Sequence, residues 1–255
     1  MTHTVHILAL HGFTGCGADF DPFANKCVGT WHHPDLPGHS TGKALQCSQQ
    51  STTRWIQNNL EGLPKKPKIL VGYSMGARAA LNHAVNFPTA WDGLILISPN
   101  PGIEDEADRE ARRLSDEGLA KRIESDGLIP FFEYWQSTPL IQSQQSIQAE
   151  WLDAMQINRR HHSAKGLAQS LREFGQGNCP NLWPMLQQIR VPILCMTGES
   201  DTKYHSISER IAQILRNAEH VTIPNAGHMP HLENPETSAF AVNQFLSQFT
   251  DQKLV

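Results

Sequence analysis

An α/β fold, with a mostly parallel sheet of about six strands and an inserted helical cap, is predicted by three features of the sequence. Short apolar runs of strand character occupy positions 5–10, 68–73, 93–98, 191–197 and 220–223, with helical patterns between them. Such alternation builds βα units around a parallel sheet. The runs carry few charges, as expected of strands covered on both faces. Finally, about ninety residues separate the run ending near Ser98 from the one beginning at Val191, where an ordinary crossover takes about thirty. Residues 101–183 are therefore read as a cap, and residues 1–100 and 184–255 as the core that carries it.

Composition narrows the function classes. At 255 residues, 39% hydrophobic and 18% charged, the chain makes one sizeable core and is neither disordered nor a coiled coil. A net charge of −4 provides no general field for phosphate backbones or anionic membranes, so neither nucleic acid nor membrane insertion is expected. The cap is itself acidic, holding nine Lys and Arg against thirteen Asp and Glu. Cys16, Cys27, Cys47, Cys179 and Cys195 are odd in number and form no C-x-x-C pair, which fits a reducing cytoplasm better than a disulfide framework. No basic run precedes the short apolar stretch in residues 1–10, and no apolar run approaches the roughly 18 to 20 residues of a membrane span, so no export signal is expected. No spacing of His, Cys, Asp and Glu resembles a ligand set, so neither metal nor cofactor is expected.

Taken in chain order, the strand ends collect the residues capable of chemistry. His11-Gly12-Phe13-Thr14-Gly15 follows the first strand, and Asp35-Leu36-Pro37-Gly38-His39-Ser40 follows a weak second one. Gly72-Tyr73-Ser74-Met75-Gly76 follows the third and leads into Ala77-Arg78-Ala79-Ala80-Leu81, a strong helix opening. A G-x-S-x-G segment at a strand-to-helix turn holds its serine out at the top of the sheet, and the crowding there requires small residues at both ends of the motif. Asp201 follows the fifth run in Gly198-Glu199-Ser200-Asp201, and His228 follows the sixth in Asn225-Ala226-Gly227-His228. Serine, acid and base then occur in the α/β-hydrolase order, with Glu199 and His231 as the alternatives for acid and base. The turn after the first strand suggests an oxyanion hole, with the backbone N–H groups of Phe13 and Met75 as donors. His11 and His39 are expected to shape the strand-end loops.

The cap shows periodic apolar positions at Leu114, Leu119 and Ile123, then aromatics at Phe131, Phe132, Tyr134 and Trp135. Trp135 is either a substrate platform or part of the cap's apolar underside. Arg109, Arg112 and Arg113 share one stretch of helix, where they either grip carboxylates or form an ion-paired solvated face with Asp105 and Asp108. The Gln-rich stretch 142–148 reads as a solvated surface. Arg78 lies one helical turn beyond Ser74, within reach of a pocket there.

Several segments together are more restrictive than the hydrolase motifs. Tyr73-Ser74-Met75-Gly76-Ala77-Arg78, the cap segment from Arg109 to Asp116, residues 166–171, Gly198-Glu199 with Asp201 and Lys203, and residues 225–235 span nearly the whole chain. In these segments the chain resembles the 2-succinyl-6-hydroxy-2,4-cyclohexadiene-1-carboxylate synthases of menaquinone and phylloquinone biosynthesis. The resemblance implies a cofactor-independent lyase that eliminates pyruvate from 2-succinyl-5-enolpyruvyl-6-hydroxy-3-cyclohexene-1-carboxylate, a small-molecule tricarboxylate. It implies Ser74, His228 and Asp201 as general-base machinery, and Tyr73, Arg78, Arg112, Trp135, Arg159 and Lys203 as substrate contacts. Arg160 competes with Arg159, which is preferred on spacing, and Tyr204 stands where a phenylalanine is common. A serine esterase or carbon–carbon bond hydrolase, using Ser74 as a covalent nucleophile, fits the hydrolase motifs equally well.

Overall fold

The computed structural model describes residues 4–64 and 67–250. Residues 1–3, the beginning of the N-terminal stretch read above for export signals, lie outside the described residues. Strands β1 (His6–Leu10), β2 (Thr30–His32), β3 (Lys68–Tyr73), β4 (Gly93–Ile97), β5 (Ile193–Gly198) and β6 (Ala218–Ile223) form one sheet in the order β2-β1-β3-β4-β5-β6. Every pairing is parallel. The weak second strand is the three-residue edge strand β2.

Alternation along the strands explains their apolar character. Leu8, Leu10, Leu70, Leu94, Leu96 and Cys195 point to one face, where helices α1 (Gln49–Gly62) and α2 (Met75–Asn86) contribute Ile56, Leu60, Ala77 and Leu81. Ile7, Ala9, Ile69, Val71, Ile95 and Ile97 point to the other, against Phe20, Phe23, Val242 and Phe245. With a period of two and both faces covered, no position along a central strand is left for a charge.

Between β4 and β5 the chain forms helices α3 (Glu106–Asp126), α4 (Leu128–Gln136), α5 (Ala149–Arg159) and α6 (Ala164–Phe174). These bury a small core of their own from Ala120, Ile123, Phe131, Leu167, Ala168 and Leu171. The Asp105 carboxylate caps α3 by accepting the Asp108 N–H at 2.9 Å, and Gly127, at φ +81°, ends it. Of the apolar positions expected on α3, Ile123 is buried and Leu119 packs on this core, but Leu114 is 66% exposed. The apolar stripe is therefore narrower than its spacing suggested. After β5 come α7 (Thr202–Ile214), β6 and α8 (Pro235–Leu246). Among the described residues, no helix is long and apolar enough to cross a membrane.

Register sets up the site. Leu10 lies opposite Gly72, and Tyr73 opposite Ile97. The loops after β1, β3 and β4 therefore leave the sheet at one level and one edge, where open α/β sheets bind ligands.

Candidate active site

Ser74 sits between β3 and α2 at φ 51°, ψ −105°, a conformation that non-glycine residues rarely adopt. Its N–H donates to the Ile97 carbonyl at 2.9 Å, and its carbonyl accepts the Arg78 N–H at 3.1 Å. A Cβ at Gly72 would run into the Gly76 carbonyl, and one at Gly76 into the Leu10 carbonyl, so the turn tolerates only glycine at both places.

From the ends of β5 and β6, Asp201 and His228 complete a chain with Ser74. The His228 Nδ1–H donates to Asp201 Oδ2 at 2.6 Å, and the Ser74 hydroxyl donates to His228 Nε2 at 3.0 Å. Because a carboxylate only accepts, it fixes the proton on Nδ1 and leaves Nε2 free to take one. The Ser98 hydroxyl donates to the His228 carbonyl at 3.0 Å and holds the base loop from beneath. Neither alternative occupies this position: Glu199 accepts the Asn225 N–H at 3.1 Å, and His231 is buried with its ring 5.3 Å from that of Phe20.

Histidines fix the loop after β1. His11 donates from Nδ1 to the Gly12 carbonyl at 2.8 Å and accepts the Leu36 N–H on Nε2 at 2.9 Å. His162 donates to the Thr14 carbonyl at 3.0 Å and accepts the Ser40 N–H at 2.9 Å, which ties the end of the cap to two strand-end loops. Burial lowers both imidazoles to a pKa of about 4, and that of His231 to about 3. Each ring uses a neutral nitrogen as an acceptor or packs in apolar surroundings, so a proton there is disfavoured.

Above Ser74 lies a cavity with an empty volume of about 910 Å³, open mouth included. Phe13, Tyr73, Met75, Arg78, Arg112, Trp135, Arg159 and His228 all line it. Phe13 and Met75 line the cavity together with Ser74, and Met75 opens α2, so its N–H belongs to the positive end of that helix. The Trp135 ring packs on Phe13 and Phe131 as part of the apolar underside, and its Nε1–H is buried without an acceptor among the described residues. Arg159 is buried and faces the cavity, whereas Arg160 is exposed. The Arg159 Nη2–H donates to Gln144 Oε1 at 3.0 Å, while its Nε and Nη1 have no partner. Arg78 is likewise buried, with an unpartnered Nε.

Helix α3 sorts its three arginines. Arg112 turns inward, donating from Nε to Asp116 at 2.8 Å and from Nη1 to Gln176. Arg109 pairs with Glu106, and Arg113 with Glu106 and Glu110, on the solvated side. Lys203 does not line the main cavity. It lines an adjoining basin with Asn100, Glu104 and Arg210, and Arg112 and Gln176 border both spaces.

Sequence reading missed four cavity residues. Gln144 belongs to the stretch expected to be solvated, yet it is buried and holds Arg159. Asp19 is buried and accepts the Cys16 N–H and the Asn158 side chain, both at 3.0 Å, joining the β1 loop to α5 beside Arg159. Burial pushes its carboxyl pKa upward. Gln176 and Tyr204 complete the set. Single Gln and Asp residues carry no spacing signal, and Tyr204 stood out only as a tyrosine where a phenylalanine is common.

Residues 7–239 match the Alpha/beta hydrolase family. The chain is 33% identical over 247 residues, 94% of its own length and 90% of the relative's, to a Bacillus subtilis (strain 168) protein provisionally named as a 2-succinyl-6-hydroxy-2,4-cyclohexadiene-1-carboxylate synthase. A Photorhabdus laumondii protein of that name is 30% identical over 95% of this chain and 86% of its own. The structure of MenH from S. aureus matches with a TM-score of 0.89 at 31% identity, covering 97% of each chain. A thermophilic esterase from Thermogutta terrifontis matches at TM-score 0.79 and 22% identity, over 97% of this chain and 92% of its own, and shows only the shared fold.

Proposed function

Since the chain belongs to the alpha/beta hydrolase family and, within it, to the 2-succinyl-6-hydroxy-2,4-cyclohexadiene-1-carboxylate synthases, we propose that it eliminates pyruvate from 2-succinyl-5-enolpyruvyl-6-hydroxy-3-cyclohexene-1-carboxylate. Its place is then menaquinone or phylloquinone biosynthesis. The observation that carries the reading is the set of buried guanidinium N–H groups on Arg78 and Arg159, which face the cavity above Ser74 without a protein acceptor. A buried donor left unpaired is costly, and planar guanidinium groups suit carboxylates. A tricarboxylate satisfies them, whereas a neutral ester does not.

Substrate and product differ by one ring proton and the enolpyruvyl group. Ser74 Oγ takes the proton from the ring carbon bearing the succinyl group, while its own proton passes to His228 Nε2. Asp201 faces the imidazolium so formed. The electron pair left on carbon delocalises onto the succinyl ketone oxygen, where the N–H groups of Phe13 and Met75 donate. Its return shifts the ring double bond and breaks the carbon–oxygen bond to the leaving group. The enolate of pyruvate departs, takes the proton from His228 to become the enol, and tautomerises. Atoms and charge balance without an acyl-enzyme, water, metal or cofactor.

Arg78, Arg112 and Arg159 bind the carboxylates, Tyr73 and Trp135 line the ring pocket, and Lys203 acts from the adjoining basin. The five cysteines are free thiols, which suits a reducing cytoplasm as the working compartment.

The test follows diene absorbance and pyruvate together. Elimination yields them in equal amounts, and deuterium on the abstracted position lowers kcat/KM. Pyruvate without the diene, or turnover of simple esters with no pyruvate from this substrate, would instead establish a hydrolase.

A further inference from the structure

We propose that Gln176 and Tyr204, with Arg112 between them, form a carboxylate subsite of the cavity. The subsite deepens the reading above and rests on it for the identity of its carboxylate, one of the three on the substrate.

Gln176 is 1% exposed and forms part of the cavity wall. Its amide oxygen accepts from Arg112 Nη1. A guanidinium only donates, so the amide oxygen must face it, and this fixes which end of the amide points elsewhere. That end, Nε2, is buried with no partner. Two N–H donors thus sit at a place where the protein provides no acceptor, beside a cation held in position by Asp116.

Tyr204 approaches the same cation from α7. Its ring lies 4.5 Å from the His228 ring, centroid to centroid, and it lines the cavity. Among the described residues its hydroxyl has no hydrogen-bond partner. Arg78 and Arg112 both act on the phenol electrostatically, but burial outweighs them and raises its pKa, so the group stays a donor. Lys203 reaches the same ring, its ammonium 5.9 Å from the centroid, and belongs to the basin outside. Tyr204 is therefore both a packing surface for the base and a phenol on the cavity wall. A carboxylate beside Arg112 accepts from the guanidinium, the Gln176 amide and the phenol together, and these charge-assisted bonds are the strong class.

Two variants remove the donors while keeping the shape. Tyr204→Phe retains the ring against His228, and Gln176→Met retains the length and burial. With the tricarboxylate substrate, each is expected to raise KM about tenfold, the size of a lost hydrogen bond to a charged group, with kcat changing by less than about threefold. Tyr204→Leu, which removes the ring, lowers kcat instead and so separates the packing role from the hydroxyl's role. KM values equal to wild type in Tyr204→Phe and Gln176→Met would overturn the subsite. If the wild-type protein releases no pyruvate, the lyase reading falls, and calorimetry with propane-1,2,3-tricarboxylate then decides the subsite. About tenfold weaker binding in both variants supports it, and unchanged binding overturns it.

Discussion

At the strand ends, Ser74, His228 and Asp201 close a hydrogen-bonded chain inside the protein, whereas around the cavity wall Arg78, Arg159, Trp135 and Gln176 hold buried N–H groups with no acceptor among the described residues. The first region is finished before any ligand arrives, with its tautomer fixed by a carboxylate. The second is completed only by an anion. Within α3 all three arginines are ion-paired, Arg109 with Glu106, Arg113 with Glu106 and Glu110, and Arg112 with Asp116, and of the three Arg112 alone borders the cavity. Charge that a fold spends on itself stabilises little at the surface, and charge left unpaired inside points to a ligand.

If that division is right, substitutions in the two regions separate into kcat and KM effects. The largest is expected for Asp201→Asn, which keeps the shape but removes the acceptor that fixes the His228 tautomer. Its kcat should fall about 10³- to 10⁴-fold, with KM nearly unchanged in steady-state kinetics. Arg159→Gln keeps a polar side chain but loses the cation, and should raise KM for the tricarboxylate by about 10²-fold, as loss of one partner of a buried charged pair does. Equal damage to kcat in both variants would dissolve the distinction.

Acid should reach the finished region through its loops. Burial pushes His11 and His162 down to about 4 and His231 to about 3, from an ordinary imidazole value of 6.5. Between those limits the unfolded chain binds more protons than the folded one, so stability falls as pH drops from about 6.5 towards 4 and levels off above 6.5. Thermal unfolding followed across that range should show it, and His162→Gln should flatten the slope. The smallest effect is expected for Arg109→Ala, whose ion pair with Glu106 is exposed. Its kcat/KM should stay within about twofold of wild type.

The two regions also differed in how far they could be read from the sequence. Strands buried on both faces leave continuous apolar runs, and the turn at Ser74 demands Gly72 and Gly76, so packing and backbone geometry wrote the chemical half into residue types. The three-residue β2, at the sheet edge, gave only a weak trace. On the binding side, one glutamine of a Gln-rich stretch, Gln144, turns inward with Ile141 and Ile147, three residues to either side, while Gln142, Gln145 and Gln148 are exposed, and a polar residue at that spacing does not read as buried. Gln176 follows the last cap helix in a short turn and is equally silent. Arg112 separates from Arg109 and Arg113 only once the packing of α3 on α6 is known. Lys203, expected at the substrate by resemblance, lines a basin that shares Arg112 and Gln176 with the main cavity.

The most direct measurement of the central claim is pyruvate release from freshly generated 2-succinyl-5-enolpyruvyl-6-hydroxy-3-cyclohexene-1-carboxylate, by wild type and by Ser74→Ala, each against the spontaneous rate. The account predicts fast release by wild type and collapse of kcat towards background in Ser74→Ala, with substrate still bound by the arginines at nearly the same KM. Release by Ser74→Ala at the wild-type rate, or wild-type release no faster than background, would contradict it.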